Sequence, residues 1–321
     1  MSISNTQQAR CNSSGVYRRM YMKEYDIIII GAGPAGISAS IYAVSRGKST
    51  LVIEKDRIGG LIGKVSTVTH YSAIMEEETG GTFAARLEAQ ARGAGVEFLF
   101  AEVTAVSLEG ECKEVTAGGQ TYKARRLILA NGTTPRKLGI PGEEKLFKKG
   151  VGGNATKDGA AFTGKHIYVV GGADGAVKEA LYLARFADKL TIIHFEEKLG
   201  TIPEFLRKVE AADNIEVLLN TRLTAVSGED RVESLTLTDI RTGEVRTVND
   251  SGCGIFIYAG STPNTGLYAG LSLKDGYIAV NDKMETSIPG VYAAGDICVK
   301  QVRQAATAVA DGAVAAINAA M

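Results

Sequence analysis

The sequence predicts an α/β protein made of two Rossmann-like, three-layer dinucleotide-binding domains, with the second inserted in the first. Two observations lead to this expectation. A pattern of buried strand, glycine-rich turn, helix and strand begins at Tyr25, and the same pattern recurs from Lys165. The chain has 321 residues, which is enough for two domains with separate cores.

The first copy starts with four consecutive isoleucines at positions 27–30, without polar alternation. Such a run is typical of a strand that is buried on both faces of a parallel sheet. A glycine-rich turn at 31–36 follows at once, and the helical pattern behind it ends at Gly47. The next apolar run, 50–53, ends in the acid Glu54. This order of elements is that of a dinucleotide-binding unit.

Each residue type in this unit has a physical role in holding a dinucleotide. Gly31 permits the tight turn, Gly33 lets the backbone approach a pyrophosphate, and Gly36 allows the helix to pack on the strand. Glu54 stands where a carboxylate accepts hydrogen bonds from ribose hydroxyls. A glycine-rich loop without a ligand does not require these parts in this order, so we expect a dinucleotide here.

The composition argues against several function classes. Lysine plus arginine and aspartate plus glutamate both number 36, so no net charge attracts the chain to nucleic acid or to a membrane surface. No apolar run approaches the ~20 residues of a membrane span, and no signal-peptide pattern is present, so we expect a cytoplasmic protein. The cysteines form no CxxC, and the histidines His70, His166 and His194 lack metal-ligand spacing, so no metal site is expected.

Two further segments complete this organisation. Residues 1–22 are polar and patternless, which predicts a disordered N-terminal arm, and Met20 or Met22 is an equally good start of the chain. The second copy of the repeat has its turn at 171–176, and its helix is expected to start at Val177.

Further motifs follow the turn from Gly31 to Gly36 and Glu54 along the chain. They are the Gly59-Gly60 loop, Ala130-Asn131-Gly132, Ser261-Thr262-Pro263-Asn264-Thr265, Ala293-Ala294-Gly295-Asp296, and Arg303-Gln304-Ala305. With these pieces in order, the chain resembles the low-molecular-weight thioredoxin reductases, which are flavoproteins with two dinucleotide-binding domains and usually have Ala-Thr-Gly at 130–132. The resemblance covers residues 25–320, nearly everything but the arm. It implies a FAD-binding domain formed by 23–136 and 257–321, an inserted domain of NAD(P)-binding type at 137–256, and a homodimer.

The resemblance implies FAD as the cofactor of the first domain. It places Asp296 at the ribityl-pyrophosphate, Gln304 beside the isoalloxazine ring, and the start of a helix at 303–305 pointing at the flavin. Such a helix N-terminus favours a reduced, anionic flavin, because its free amides and its dipole attract negative charge. The implied cofactor-binding residues are Gly31, Gly33, Pro34, Ala35, Gly36, Glu54, Lys55, Gly59, Gly60, Leu61, Val103, Ala130, Asn131, Gly132, Gly295, Asp296, Arg303, Gln304 and Ala305.

The redox dithiol of the family has no counterpart in this sequence. The family passes electrons from NADPH through FAD to a Cys-x-x-Cys pair and then to thioredoxin. Its Cys-x-x-Cys-Asp-Gly pattern aligns on residues 154–159, where Asn154 and Lys157 replace the two redox cysteines. Neither residue can exchange a disulfide, so this route is excluded and the catalytic residues are unknown. Cys298 is the nearest other cysteine by position, and we expect a buried bystander there.

The second domain lacks the residues with which the family recognises NADPH. Phe195, Glu196 and Gly200 replace arginines of the family pattern, and Ala173 replaces the second glycine of the turn. A carboxylate repels the 2′-phosphate of NADPH, although Glu196 can still bind a ribose 2′-hydroxyl. Three possibilities stay open: the domain binds no nucleotide and serves as a scaffold or docking surface, it binds NADH, or it binds another adenine nucleotide such as a second flavin.

These substitutions lead to one main hypothesis about function and two alternatives. The main one is a FAD-dependent oxidoreductase that takes electrons from a protein donor such as ferredoxin or flavodoxin, as in the ferredoxin-dependent relatives of this family, and passes them to an unknown acceptor. The first alternative is an NADH-dependent flavin reductase or oxidase. The second is a non-catalytic, flavin-bound sensor or binding protein. We also hypothesise that His70, in a stretch that lies near the flavin in relatives, contacts it.

Overall fold

The computed structural model describes residues 23–74 and 78–321. The predicted disordered arm at 1–22 lies outside the described residues, as do residues 75–77. Contacts within the chain divide it into two compact units, each described separately below. Unit 1 consists of the described residues up to Ile62 with Thr82–Thr133 and Pro263–Met321, and unit 2 consists of the described part of Gly63–Gly81 with Thr134–Thr262.

The segment Gly63–Gly81 groups with unit 2, whereas the sequence placed it in the first domain. Polar contacts explain this difference. Ser66 donates hydrogen bonds from its backbone N and from Oγ to Oε1 of Glu179, both at 3.0 Å. Lys178 Nζ donates to the carbonyl oxygen of Thr67 at 2.7 Å. Ser66 and Glu179 are 113 positions apart, so no local sequence pattern indicates this contact.

A seven-stranded mixed sheet forms the centre of unit 1. Its strands are β1 (Glu24–Ile30), β2 (Thr50–Glu54), β3 (Glu97–Phe100), β4 (Val103–Ser107), β5 (Lys113–Ala117), β6 (Gln120–Leu129) and β19 (Val291–Ala293). Strands β3, β2, β1, β6 and β19 are parallel in this order, and β4, β5 and β6 form an antiparallel meander. The long β6 belongs to both parts.

The isoleucines of β1 fill both faces of this sheet. Ile27 and Ile29 belong to one buried cluster, and Ile28 and Ile30 belong to another. Successive side chains of a strand point to opposite faces, so this arrangement requires an apolar residue at every position, and it confirms the predicted buried strand. Each fully buried isoleucine contributes about 1.5–3 kcal/mol. The remaining elements of unit 1 are the helices α1 (Pro34–Val44), α2 (Gly80–Gly93) and α6 (Ala305–Ala319) and the hairpin of β17 (Leu273–Lys274) and β18 (Tyr277–Ile278).

Unit 2 repeats the parallel plan with a second sheet. Its strands run parallel in the order β11 (Ile215–Leu218), β10 (Lys189–Ile193), β9 (His166–Val170), β15 (Gly254–Ile257) and β8 (Val151–Gly152). The helices are α3 (Ala155–Asp158), α4 (Asp174–Leu183) and α5 (Pro203–Glu210). An antiparallel sheet contains β12 (Thr221–Ser227), β13 (Ser234–Asp239) and β14 (Val245–Asn249), and β7 (Thr133–Pro135) pairs with β16 (Ser261–Pro263).

The structure confirms the predicted α/β fold with two Rossmann-like units. One boundary differs, because α4 begins at Asp174 and not at Val177. The Asp174 carboxylate accepts hydrogen bonds from Thr201 Oγ1 at 2.8 Å and from the backbone N of Ile202 at 3.0 Å, which holds the first turn of the helix in place. Among the described residues, no helix has both the length and the apolar character needed to cross a membrane.

Candidate functional site

The predicted site residues of unit 1 meet at one edge of its sheet. Gly31 follows β1, Glu54 ends β2, Ala130 follows β6, and Gly295 comes two residues after β19. These four strands are parallel, so their carboxyl ends lie at the same edge. In open α/β sheets this edge is where ligands bind.

The three glycines of the first turn meet different surroundings. Gly31 has φ +100°, and a Cβ there would lie 2.5 Å from the carbonyl oxygen of Ala130. A Cβ at Gly36 would lie 1.9 Å from the carbonyl oxygen of Gly31, so packing alone requires both glycines. At Gly33, by contrast, no described protein atom beyond Gly33 and its two chain neighbours lies within 4 Å of the Cβ position. Unlike Gly31 and Gly36, Gly33 is therefore not required by packing contacts of the described residues.

The start of α1 presents free backbone amides at this position. Gly33 is the N-cap residue and Pro34 follows it, and no side chain among the described residues caps the helix. The first turn of α1 contains no acidic residue. Unpaired amides and the positive end of the helix dipole suit an anion such as pyrophosphate.

Glu54 lies against the same turn. Its Oε2 accepts a hydrogen bond from the backbone N of Ala32 at 2.8 Å, and its Oε1 accepts one from the backbone N of Asp56 at 2.9 Å. The following loop reaches the turn as well, because Gly59 N donates to the carbonyl oxygen of Ala32 at 2.8 Å. A Cβ at Gly60 would lie 3.2 Å from the Cα of Gly33. The contacts bring the acid and the Gly59-Gly60 loop to the glycine turn, as the motif predicts.

Asn131 has a structural role that the sequence did not reveal. Its Nδ2 donates to the carbonyl oxygen of Asn264 at 2.9 Å, and its Oδ1 accepts from the buried hydroxyl of Tyr268 at 2.7 Å. Asn264 returns a hydrogen bond from its own Nδ2 to the carbonyl oxygen of Asn131 at 2.7 Å. Both polar atoms of the Asn131 side chain therefore form hydrogen bonds within the protein. The backbone of Asn131 lies beside Gly31.

Asp296 is a buried carboxylate that the protein leaves partly unsatisfied. Its Oδ1 has no hydrogen-bond partner among the described residues. Burial raises the pKa of Asp296, and the nearby cations Lys300 and Arg303 oppose that rise. A buried polar atom without a partner costs about 1–3 kcal/mol, so a ligand hydroxyl at this oxygen would be strongly favoured.

The helix α6 begins where the resemblance places it. Gln304 is the N-cap and Ala305 is the first helical residue, and no acid occurs in the first turn. Arg303 lies just before the helix, with its Cζ 4.1 Å from the ring centroid of Tyr277. Its Nε is buried without a partner among the described residues, which is a second unsatisfied polar atom at this edge.

Three other implied residues lie in the loop after β2 and at the start of β4. Lys55 and Leu61 are exposed in the loop after β2, and Val103 is half-buried at the start of β4. His70, by contrast, lies in unit 2, where its Nε2 is 3.1 Å from Oε2 of Glu204. The structure thus pairs His70 with α5, and the hypothesised flavin contact stays a hypothesis.

The corresponding turn of unit 2 differs from the first at the N-cap and at the first helical residue. Gly171 has φ +135°, and a Cβ there would lie 2.5 Å from the carbonyl oxygen of Tyr258, so this glycine is required. Ala173 is the N-cap of α4 and carries its methyl group at the position that Gly33 leaves open in unit 1. Asp174 adds a carboxylate to the first helical turn, where an anion would have to bind.

The chain after β10 forms the other side of this turn. His194 Nε2 lies 3.1 Å from Oε2 of Glu196, and a Cβ at Gly172 would lie 2.5 Å from the His194 ring. Phe195 is 46% exposed, and the Cζ of Arg222 lies 5.5 Å from its ring centroid. The segment after β10 therefore offers the carboxylate of Glu196 and the exposed aromatic ring of Phe195.

Asn154 and Lys157 form an ordinary helix start. Asn154 caps α3, with its Oδ1 accepting a hydrogen bond from the backbone N of Lys157 at 3.0 Å. Its Nδ2 donates to the carbonyl oxygen of Lys64 at 2.7 Å. Asp158 Oδ2 accepts from the backbone N of Gly153 and of Asn154 at 2.8 and 2.9 Å. This turn is held together by amides and carboxylates, with no sulfur.

Two free cysteines among the described residues are buried and unsuited to redox exchange. Burial, together with the carboxylate of Asp311, raises the pKa of the Cys298 thiol to about 12. Burial and the carboxylate of Asp250 raise the pKa of Cys253 to about 12 as well. Since the thiolate is the reactive form, neither group is nucleophilic at neutral pH. The expected burial of Cys298 is confirmed, and its role as a bystander stays a prediction.

Residues 25–312 match the family of pyridine nucleotide-disulphide oxidoreductases. The chain belongs to this family. It is 40% identical over 299 residues to the thioredoxin reductase of Bacillus subtilis, covering 92% of this chain and 93% of that protein. It is 38% identical over 301 residues to the thioredoxin reductase of Peptoclostridium acidaminophilum, covering 92% and 96% of the two chains.

Solved structures agree with this membership of the pyridine nucleotide-disulphide oxidoreductases. The thioredoxin reductase of Lactococcus lactis matches with a TM-score of 0.88 at 34% identity, covering 92% of this chain and 97% of that one. A ferredoxin-flavin thioredoxin reductase from Clostridium acetobutylicum matches with a TM-score of 0.52 at 30% identity, covering 94% and 98%. This family member is therefore a FAD-binding flavoprotein of thioredoxin reductase type. The open backbone at Gly33 and the unsatisfied Asp296 Oδ1 fit that cofactor.

Proposed function

We propose that this flavoprotein is an oxidoreductase that works without a redox dithiol and without NADPH. Electrons would come from a protein donor of ferredoxin or flavodoxin type and leave through FAD to an acceptor that is not yet identified. The observation that carries the proposal is the replacement of the dithiol by Asn154 and Lys157. When bound, FAD supplies the ability to accept and release electrons singly or in pairs.

The surroundings of Asn154 support the loss of dithiol chemistry. The amide group of Asn154 caps α3 and donates a hydrogen bond to the carbonyl oxygen of Lys64, so this side chain stabilises the local fold. The pKa of about 12 at Cys298 and at Cys253 means that neither buried thiol can take over at neutral pH. The acceptor would thus receive electrons from the flavin itself.

The charges in unit 2 support a donor other than NADPH. Asp174 and Glu196 both carry carboxylates at the positions that a pyrophosphate and a 2′-phosphate would approach. Like charges at about 4 Å repel by about 4 kcal/mol at a protein surface. The methyl group of Ala173 adds a steric obstacle at the turn. A protein donor avoids these obstacles, and the similarity to a ferredoxin-flavin thioredoxin reductase supports one.

The FAD site of this proposal comprises the residues that meet at the sheet edge of unit 1. Gly33 and the start of α1 would hold the pyrophosphate, Glu54 the adenosine ribose, and Asp296 the ribityl chain. The start of α6 at Ala305 would face the isoalloxazine ring and favour its reduced, anionic form. We also expect a homodimer, which light scattering on the purified protein measures directly.

A disulfide assay tests the first half of the proposal. The purified holoprotein is mixed with thioredoxin and either NADPH or a reduced ferredoxin or flavodoxin, with the Bacillus subtilis thioredoxin reductase and NADPH as the positive control. We expect no disulfide reduction by the wild-type chain. The matched variant carries Asn154→Cys and Lys157→Cys, which restores the Cys-x-x-Cys spacing, and we expect two additional titratable thiols in it. Thioredoxin turnover by the wild-type chain would overturn the proposal.

An NADH-driven flavin reductase or oxidase is the second candidate, because Glu196 and the exposed ring of Phe195 suit an unphosphorylated adenosine. Stopped-flow reduction of the flavin by NADH separates the two. Fast, saturable bleaching by NADH that is lost in Glu196→Arg supports this second candidate. If neither a pyridine nucleotide nor a reduced ferredoxin or flavodoxin bleaches the flavin, a non-catalytic, flavin-bound binding protein is the better description.

A further inference from the structure

A pair of charged residues outside the predicted site is held directly behind the Asp296 turn. Helix α6 lies closely on α1, because a Cβ at Gly312 would be only 2.1 Å from the carbonyl oxygen of Ala35. This contact carries the preceding residue, Asp311, to the turn that follows β19. There the backbone N of Gly295 donates a hydrogen bond to Asp311 Oδ2 at 3.0 Å.

Lys300 completes this arrangement. Its Nζ forms an ion pair with the same Oδ2 of Asp311, and the two side chains are only 13% and 14% exposed. Lys300 also acts electrostatically on Asp296, where its positive charge opposes the effects of burial and of the Asp311 carboxylate. The ammonium group of Lys300 therefore acts on two carboxylates, those of Asp296 and Asp311. Together with Arg303, these residues carry two positive and two negative charges, so their net charge is zero.

We propose that Lys300 and Asp311 are positioning residues for FAD, which fix the Gly295-Asp296 turn and balance the charge behind it. They would act on the cofactor through Asp296, whose buried Oδ1 has no hydrogen-bond partner among the described residues and could accept a ligand hydroxyl. The inference depends on FAD binding, which the family establishes, and not on the identity of the electron donor.

The proposal predicts opposite signs for the two charges. Reduction of the flavin adds negative charge, so a net positive surrounding favours the reduced form and a net negative one favours the oxidised form. Lys300→Met leaves an excess carboxylate and should lower the reduction potential. Asp311→Asn keeps an acceptor for Gly295 N but removes the negative charge, and should raise the potential. The double variant restores the balance and should lie close to wild type.

We expect each single variant to change the ratio of affinities for reduced and oxidised FAD by about three- to tenfold, which is about 15–30 mV for a two-electron couple. The matched control is Lys123→Met, because Lys123 pairs with Glu114 at 2.9 Å and is 14% exposed. That pair joins β5 and β6 in the meander of unit 1, and neither residue belongs to the predicted site. Its removal should leave the potential unchanged.

The test measures FAD affinity by fluorescence and the reduction potential by anaerobic equilibration with a reference dye, using the full-length holoprotein. Opposite shifts in the single variants, with recovery in the double variant, support the proposal. Shifts of the same sign, or none, overturn it. If Lys300→Met does not retain FAD, the variant Lys300→Arg is tested, because it keeps the positive charge. Retention of FAD by Lys300→Arg supports the proposal. Loss of FAD from Lys300→Arg, while Lys123→Met retains FAD, overturns the role of the charge.

Discussion

Substitution of Gly33 by alanine separates what the fold needs from what the cofactor needs. The backbone at Gly33 has φ −71° and ψ −178°, a conformation that any L-residue adopts. Beyond Gly33 and its two chain neighbours, no described protein atom lies within 4 Å of its Cβ position. Gly33→Ala should therefore leave the apoprotein as stable as before, or more stable by about 0.4–1 kcal/mol, because alanine restricts the unfolded chain.

The same methyl group would obstruct the cofactor. It would stand where the pyrophosphate of FAD approaches the backbone of the turn. An extra methyl group in a close-packed contact costs about 1–3 kcal/mol, which corresponds to a loss of FAD affinity of about 5- to 140-fold. The variant is thus expected to keep its fold and lose most of its cofactor.

The assay combines FAD titration of the apoprotein by fluorescence with unfolding of the apoprotein in urea. Gly36→Ala is the contrasting variant, because its Cβ would lie 1.9 Å from the carbonyl oxygen of Gly31 and should destabilise the apoprotein itself. Two results refute the reasoning: an apoprotein of Gly33→Ala that unfolds as early as Gly36→Ala, or a FAD affinity that does not change.

Three further predictions concern single side chains. Asn131→Thr should reduce the free energy of unfolding by about 1–3 kcal/mol in urea, because the buried hydroxyl of Tyr268 loses its acceptor, and Tyr268→Phe should recover part of this loss. Cys298→Ala should leave the rates of flavin reduction and reoxidation unchanged, since the pKa of this thiol is about 12; a large decrease would contradict the assignment of a bystander. For Glu179, burial raises the pKa above its ordinary 4.5, so the stability that its protonated form provides is lost as the pH rises through the raised pKa. Glu179→Gln should therefore lose less stability than wild type over that rise, and equal pH profiles in urea unfolding would refute the burial argument.

Sequence patterns that span only a few residues predicted much of the structure correctly. The four isoleucines of β1 indicate burial on both faces, and Gly31 and Gly36 occupy contacts that no side chain could enter. The strand ends that carry Glu54 and Asp296 meet at one edge for the same reason, since parallel strands place their carboxyl ends together. The spacing of apolar residues and the residue types of the turns are sufficient to predict these features.

Contacts between distant positions explain what the sequence could not reveal. The segment Gly63–Gly81 groups with unit 2 through the Ser66–Glu179 contact, which joins residues 113 positions apart. The early start of α4 depends on Asp174 meeting Thr201, 27 positions later. A charged residue at position 311, in an otherwise alanine-rich helix, is the one sequence signal of the pair behind the Asp296 turn.

Reduction of the bound flavin under anaerobic conditions tests the central claim most directly. The holoprotein is titrated in parallel with NADPH and with reduced ferredoxin or flavodoxin, and the flavin absorbance is followed. We expect stoichiometric bleaching by a reduced protein donor and none by micromolar NADPH. Bleaching by micromolar NADPH, followed by reduction of added thioredoxin, would contradict the account and place this chain among the ordinary thioredoxin reductases.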